Sequence, residues 1–171
     1  MAWTTNTILL NHTQSHTPCK DIFQAVCDEI GLFYSKKGFK YTASRPKITI
    51  EKDGIKLEIC FFSTRTNVVN QSVSLQIIPT FYSKKAKTDD NPKGIVLAYP
   101  DIFYTKTDEI PPKLTVNEMF GGQIINTEDW RTVSEIRDYH VCEVYGLDDV
   151  KFLKIIEFIE KKIIARLEEL I

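Results

Sequence analysis

A chain of 171 residues with a net charge of -1 suits one domain, long enough to bury a sizeable core without disulfide or metal staples. Its 43% hydrophobic and 26% charged content is that of an ordinary globular domain, which excludes a disordered or low-complexity chain. No stretch approaches the roughly eighteen apolar residues of a membrane-spanning helix.

The opening MAWTTNTILLNHTQSH has no basic region and only a three-residue apolar run, unlike a signal peptide. The four cysteines, Cys19, Cys27, Cys60 and Cys142, form no Cys-x-x-Cys pair and point to a reducing compartment. The expectation is a cytoplasmic protein. Residues 1–16 are polar without a period and read as a flexible arm, leaving 17–171 as a single domain.

Thr17-Pro18 predicts a helix start, with a capping hydroxyl and proline at the first helical position. Ile22, Phe23, Val26, Cys27, Ile30, Phe33 and Tyr34 then recur at three- and four-residue steps, one face of an amphipathic helix that Gly38 is placed to end. Beyond Gly38 the period becomes two. GFKYT and PKITIEK alternate, and Asp53-Gly54 is a strong hairpin signal because both turn positions need positive φ. The return strand puts Ile55, Leu57, Ile59 and Phe61 on one face, and the next puts Val73, Leu75 and Ile77 inward.

Between those two strands lies Ser63-Thr64-Arg65-Thr66-Asn67, read as a structural turn with Asn67 suited to a left-handed conformation. The outer face turns apolar at Cys60, Phe62 and Ile78, which calls for local cover by the arm, the 95–105 segment or a partner. IVLAYP and DIFYTK read as short β-prone runs.

Thr115 and Glu118 have capping-box spacing and predict one helical turn stopped by Gly121-Gly122. NTEDWRTVSEIRDY predicts a helix, HVCEVYG a last strand, and Asp148-Asp149 the start of a long helix. Its stripe is Phe152, Ile155, Ile156, Ile159, Ile163, Leu167 and Leu170. Together these predict a two-layer α+β domain: an antiparallel meander of about five or six strands with the N- and C-terminal helices on one face.

The run GFKYTASRPKITIEKDGIKLEICFFSTRTN, followed by SVSLQIIPTFYSKK, resembles uncharacterised bacterial α+β domain families. In these a helix ends in Gly-Phe, paired hairpins follow, and a C-terminal helix closes the sheet. The resemblance spans about residues 20–85 and brings no catalytic motif residues with it. Some such domains accompany toxin or phage-conflict systems, which would imply an immunity-like or regulatory binding role; fold alone does not fix function.

Chemical motifs are sparse. His12, His16 and Cys19 have helical spacing, but Pro18 intervenes and a fourth ligand is missing, so no metal and no cofactor are expected. His140 and Cys142 would share one side of a strand, the weakest reading, a hydrolase site near His140 with neighbouring acids. The one Gly-Gly pair has neither Walker nor dinucleotide spacing.

Charge is more informative. Residues 1–106 hold 14 Lys/Arg against 9 Asp/Glu, whereas residues 107–149 hold 3 against 10. Two binding surfaces follow. The first expectation is a non-enzymatic module whose acidic segment, through Glu128, Asp129, Glu135, Asp138 and Glu143, engages a basic protein. The alternative is a nucleic-acid contact through Lys36, Lys37, Lys40, Arg45, Lys84 and Lys85, with Tyr82 and other aromatics interleaved.

Overall fold

The computed structural model describes residues 15–98, 102 and 141–171, and the backbone of 115–117 and 123–125. Helix α1 (Cys19–Ser35) leads into strands β1 (Lys40–Thr42), β2 (Lys47–Lys52), β3 (Ile55–Phe62), β4 (Ser74–Ser83) and β5 (Ile95–Ala98). Strands β6 (Thr115–Asn117), β7 (Gln123–Ile125) and β8 (Val141–Glu143) follow. The chain closes with helix α2 (Asp149–Phe158), a π-helical segment (Ile159–Ile164) and helix α3 (Ala165–Leu170). The strands of the main sheet pair antiparallel in the order β1-β2-β3-β4-β5. β8 shares the last position with β5: it pairs the first residues of β4, while β5 pairs the last. This is the expected α+β architecture.

Helix α1 starts one residue later than Thr17-Pro18 predicts. Pro18 has extended ψ of 138° and flanks the helix, and its carbonyl accepts the amides of Asp21 and Ile22. The other end follows the prediction. Gly38 has φ of +88°, its amide reaches the Ser35 carbonyl at 3.0 Å, and the Phe39 amide reaches the Tyr34 carbonyl at 3.1 Å. That pair of bonds is a Schellman motif, which needs a left-handed residue where glycine carries no Cβ penalty. The apolar contact that accompanies the motif is present too: the rings of Tyr34 and Phe39 stack with centroids 6.1 Å apart.

The β2–β3 hairpin turns on Asp53 and Gly54, both at positive φ, with Lys52 and Ile55 paired beside them. Register then decides the faces. Ile48, Ile50, Leu57, Ile59, Phe61, Leu75, Ile77 and Phe81 are buried on one face. They join Ile22, Val26 and Ile30 of α1 and Phe152, Ile155, Ile159, Ile163 and Leu167 of the C-terminal helices in a single core. Val73 and Ile102 belong to the same cluster. Phe33 of α1 meets Phe152 of α2 edge-on, and Tyr41 of β1 lies against Gly31, its hydroxyl donating to Asp28 at 2.8 Å.

The π-helical segment has a cause in the stripe itself. Ile155, Ile159, Ile163 and Leu167 are spaced by four, and each four-residue step overshoots a 3.6-residue turn by about 40°. Three steps would swing Leu167 about 120° away from Ile155. A wider π turn absorbs the extra residue and returns Ile163 and Leu167 to the buried side.

Two local expectations are corrected. Residues 115–117 form a strand paired with 123–125, not a helical turn: Thr115, Val116, Ile124 and Ile125 are β-branched and pair across a short antiparallel ladder. Asn67 does not adopt positive φ, whereas Asn70 does, at +63°. The predicted helix at 126–139 lies outside the described residues, as do most of the arm and most of DIFYTK. No helix among the described residues is long and apolar enough to cross a membrane.

Candidate functional site

The turn at Ser63–Asn67 satisfies itself. Ser63 Oγ donates to the Ser74 carbonyl at 2.7 Å, Asn67 Nδ2 donates to Ser63 Oγ at 2.7 Å, and the Ser74 amide donates to Asn67 Oδ1 at 3.0 Å. Ser74 Oγ donates to Thr64 Oγ1 at 3.0 Å, and Thr64 and Thr66 share a bond of 2.8 Å. These polar groups tie β3 to β4, with Arg65 and Thr66 exposed, so the segment serves as a structural turn.

The acidic constellation changes in its one described member. Glu143 Oε1 accepts the amides of Val73 at 2.7 Å and Tyr145 at 2.8 Å, fastening β8 to the start of β4. A carboxylate holding two backbone donors braces the fold, and Glu143 does this while its side chain stays exposed. Glu128, Asp129, Glu135 and Asp138 lie outside the described residues. So do His140 and His12. Cys142 is 5% exposed, and burial pushes its thiol up to about 12, which leaves it protonated and non-nucleophilic. Cys19 Sγ faces the Ser72 carbonyl at 4.0 Å, and no cluster of three metal-ligating side chains occurs among the described residues.

The basic residues fall into two groups that the fold keeps apart. Lys36, Lys37, Lys40 and Arg45 lie at the α1 end and the β1 edge, whereas Lys84 and Lys85 follow β4. β1 and β4 are separated by three strand spacings, roughly 14 Å. Lys37 is engaged internally: it bonds Glu160 at 2.8 Å and lies 4.8 Å from the Phe33 ring centre. Lys36, Lys40 and Arg45 are exposed.

The second group sits in a built structure. Asn91 organises the whole 84–95 loop. Its Nδ2 donates to the carbonyls of Ala86 at 3.1 Å and Ile95 at 2.9 Å, and its Oδ1 accepts the Ile95 amide at 3.0 Å. Ser83 Oγ caps the short 3₁₀ turn at Lys84–Ala86, and the Ser83 amide bonds the Gly94 carbonyl at 2.8 Å. Lys84, Lys85, Lys87 and Lys93 project from this frame, all exposed, and none has an ion-pair partner among the described residues.

The β2–β3 turn lies alongside, and between turn and loop runs a groove of about 530 Å³. It is lined by Lys84, Lys87 and Lys93 from the loop, Lys52 and Lys56 from the hairpin, and Tyr82, with Glu51 and Asp53 as its carboxylates. Lys52 is paired with Glu168 at 2.6 Å, and Lys56 reaches Glu58 at 3.2 Å while lying 4.7 Å from the Tyr82 ring centre. The site therefore presents unspent positive charge along one wall. Such a wall attracts and orients anions.

Beside the groove, Glu58 gathers Lys47 at 3.0 Å and Lys56 at 3.2 Å on the outer sheet face. Burial opposes its ionisation, but the two lysine hydrogen bonds outweigh this and hold the carboxyl below the usual glutamate range. The stability this confers is present above the ordinary glutamate pKa of about 4.3 and is lost as pH falls through the lower folded value. Wild type is therefore expected to exceed Glu58→Gln in denaturant midpoint at neutral pH, with the gap closing on acidification below about pH 4. A gap that persists unchanged at low pH would show that the pairing contributes nothing.

Sequence reasoning named Lys84, Lys85 and Tyr82 but missed Lys52 and Lys56, which only the side-by-side placement of hairpin and loop brings to them. No family model, curated protein or solved structure matches this chain.

Proposed function

We propose that the protein is a binding module for nucleic acid, engaged through the phosphates by the lysine loop at residues 84–93. The observation that carries this is the Asn91 frame, which holds Lys84, Lys87 and Lys93 without carboxylate partners along one wall of a groove, with Lys85 exposed beside them. Ordering the loop in advance removes a conformational cost that a disordered lysine run would incur on binding. Lysine offers point charges suited to phosphate oxygens rather than to base edges, so affinity comes from the backbone of the nucleic acid.

Reversing Lys84 and Lys87 to glutamate is expected to weaken binding of a fluorescein-labelled oligonucleotide by at least about tenfold, measured by anisotropy at fixed salt. Unchanged affinity would refute the assignment. The acidic segment 107–149 supports a second reading on charge, with a basic protein as partner. Capture from lysate that resists nuclease, and is lost in a Glu135→Lys, Asp138→Lys double variant, would transfer the function there.

A further inference from the structure

The two sides of the groove differ in net charge, the loop side positive and the hairpin side balanced, and this bears on which form of nucleic acid fits. Lys84, Lys87 and Lys93 line it from the loop, whereas Glu51 and Asp53 line it from the β2–β3 turn. On the hairpin side Lys52 and Lys56 are already committed, to Glu168 and to Glu58. Asp89 and Asp90 lie at the loop tip and are not part of the lining. One phosphate chain laid along the lysine wall meets positive charge throughout. A second chain, as in a duplex, would face the carboxylates of the turn.

Resting on the nucleic-acid reading, we infer that the ligand is a single strand, held through about four phosphates by Lys84, Lys87 and Lys93 of the groove wall and the exposed Lys85 beside them, with no base sequence read. The size of the groove agrees, since about 530 Å³ admits a short stretch of one chain. The residue types agree as well. No arginine, asparagine or glutamine lines the groove, so its free donors are lysine point charges, which suit phosphate oxygens.

The test is anisotropy with labelled dT and mixed-sequence 12-mers and with the matching duplex, on the full chain, over a salt series. Single strands are expected to bind at least about tenfold tighter than the duplex and within about threefold of one another. The slope of log affinity against log salt is expected near -3, the single-strand coefficient of roughly 0.7 per neutralised phosphate applied to four contacts. In Lys93→Gln the slope should flatten by about 0.7. A duplex bound as tightly as the single strand, a slope steeper than about -5, or a strong preference among sequences overturns this inference and leaves the nucleic-acid reading standing. Binding of neither form overturns both.

Discussion

Replacing Leu75 or Ile159 with alanine is expected to lower the unfolding free energy by about 2–5 kcal/mol, read as a drop in urea midpoint at unchanged slope. Leu75 lies on β4, where it pairs with Cys142 of β8, and it is fully buried. Ile159 opens the π-helical segment and is fully buried from the helical side. Each truncation removes apolar contacts and leaves a cavity that its rigid neighbours fill only in part. The two residues come from opposite layers of one core, so both must be costly if the faces are as described. A midpoint shift below about 0.5 kcal/mol for either would place that residue at the surface.

Gly94→Ala is expected to be comparably damaging, for a different reason. Gly94 has φ of +70°, where an L side chain costs about 1–2 kcal/mol. A Cβ there would also stand 2.2 Å from the Ser83 carbonyl oxygen. Ser83 cannot easily yield, because it pairs with Ile55 across β3 and its amide bonds the Gly94 carbonyl. Strain and collision together should cost about 2–4 kcal/mol, or break the Ser83–Gly94 closure and release the loop. The variant changes no charge. It should nevertheless weaken oligonucleotide binding, since the lysines lose their fixed spacing. A variant with wild-type stability and wild-type binding would show that the loop frame is irrelevant to both.

Much of the fold was legible because long elements repeat their pattern. Ile22 to Tyr34 show helical period over several turns, Leu57 to Phe61 and Val73 to Ile77 alternate, and Asp53-Gly54 names its own turn type. Short elements do not repeat enough to be read. A three-residue strand at Thr115–Asn117 has no period, and the spacing of Thr115 and Glu118 imitates a helix cap equally well. The π-helical segment did have a signal, the steps of four from Ile155 to Leu167, which differ from ordinary helical spacing only when summed over several turns.

The site was less legible than the fold. A lysine run is visible in SKKAK, but TDDNPKG gives no sign that Asn91 will bond three backbone groups and lock the run in place. The contributions of Lys52 and Lys56 depend on strand order, which brings one turn beside another at the same end of the sheet. The bracing part of Glu143 was hidden for a related reason: its hydrogen bonds to Val73 and Tyr145 depend on β8 lying beside the start of β4.

Placement of the ligand on the lysine loop is tested most directly by amide chemical shifts during titration with an unlabelled dT 12-mer. Shifts confined to residues 82–94 and the facing Glu51–Lys56 turn are the predicted result. Saturable shifts at Lys36, Lys37, Lys40 and Arg45 instead, with the loop silent, would contradict it.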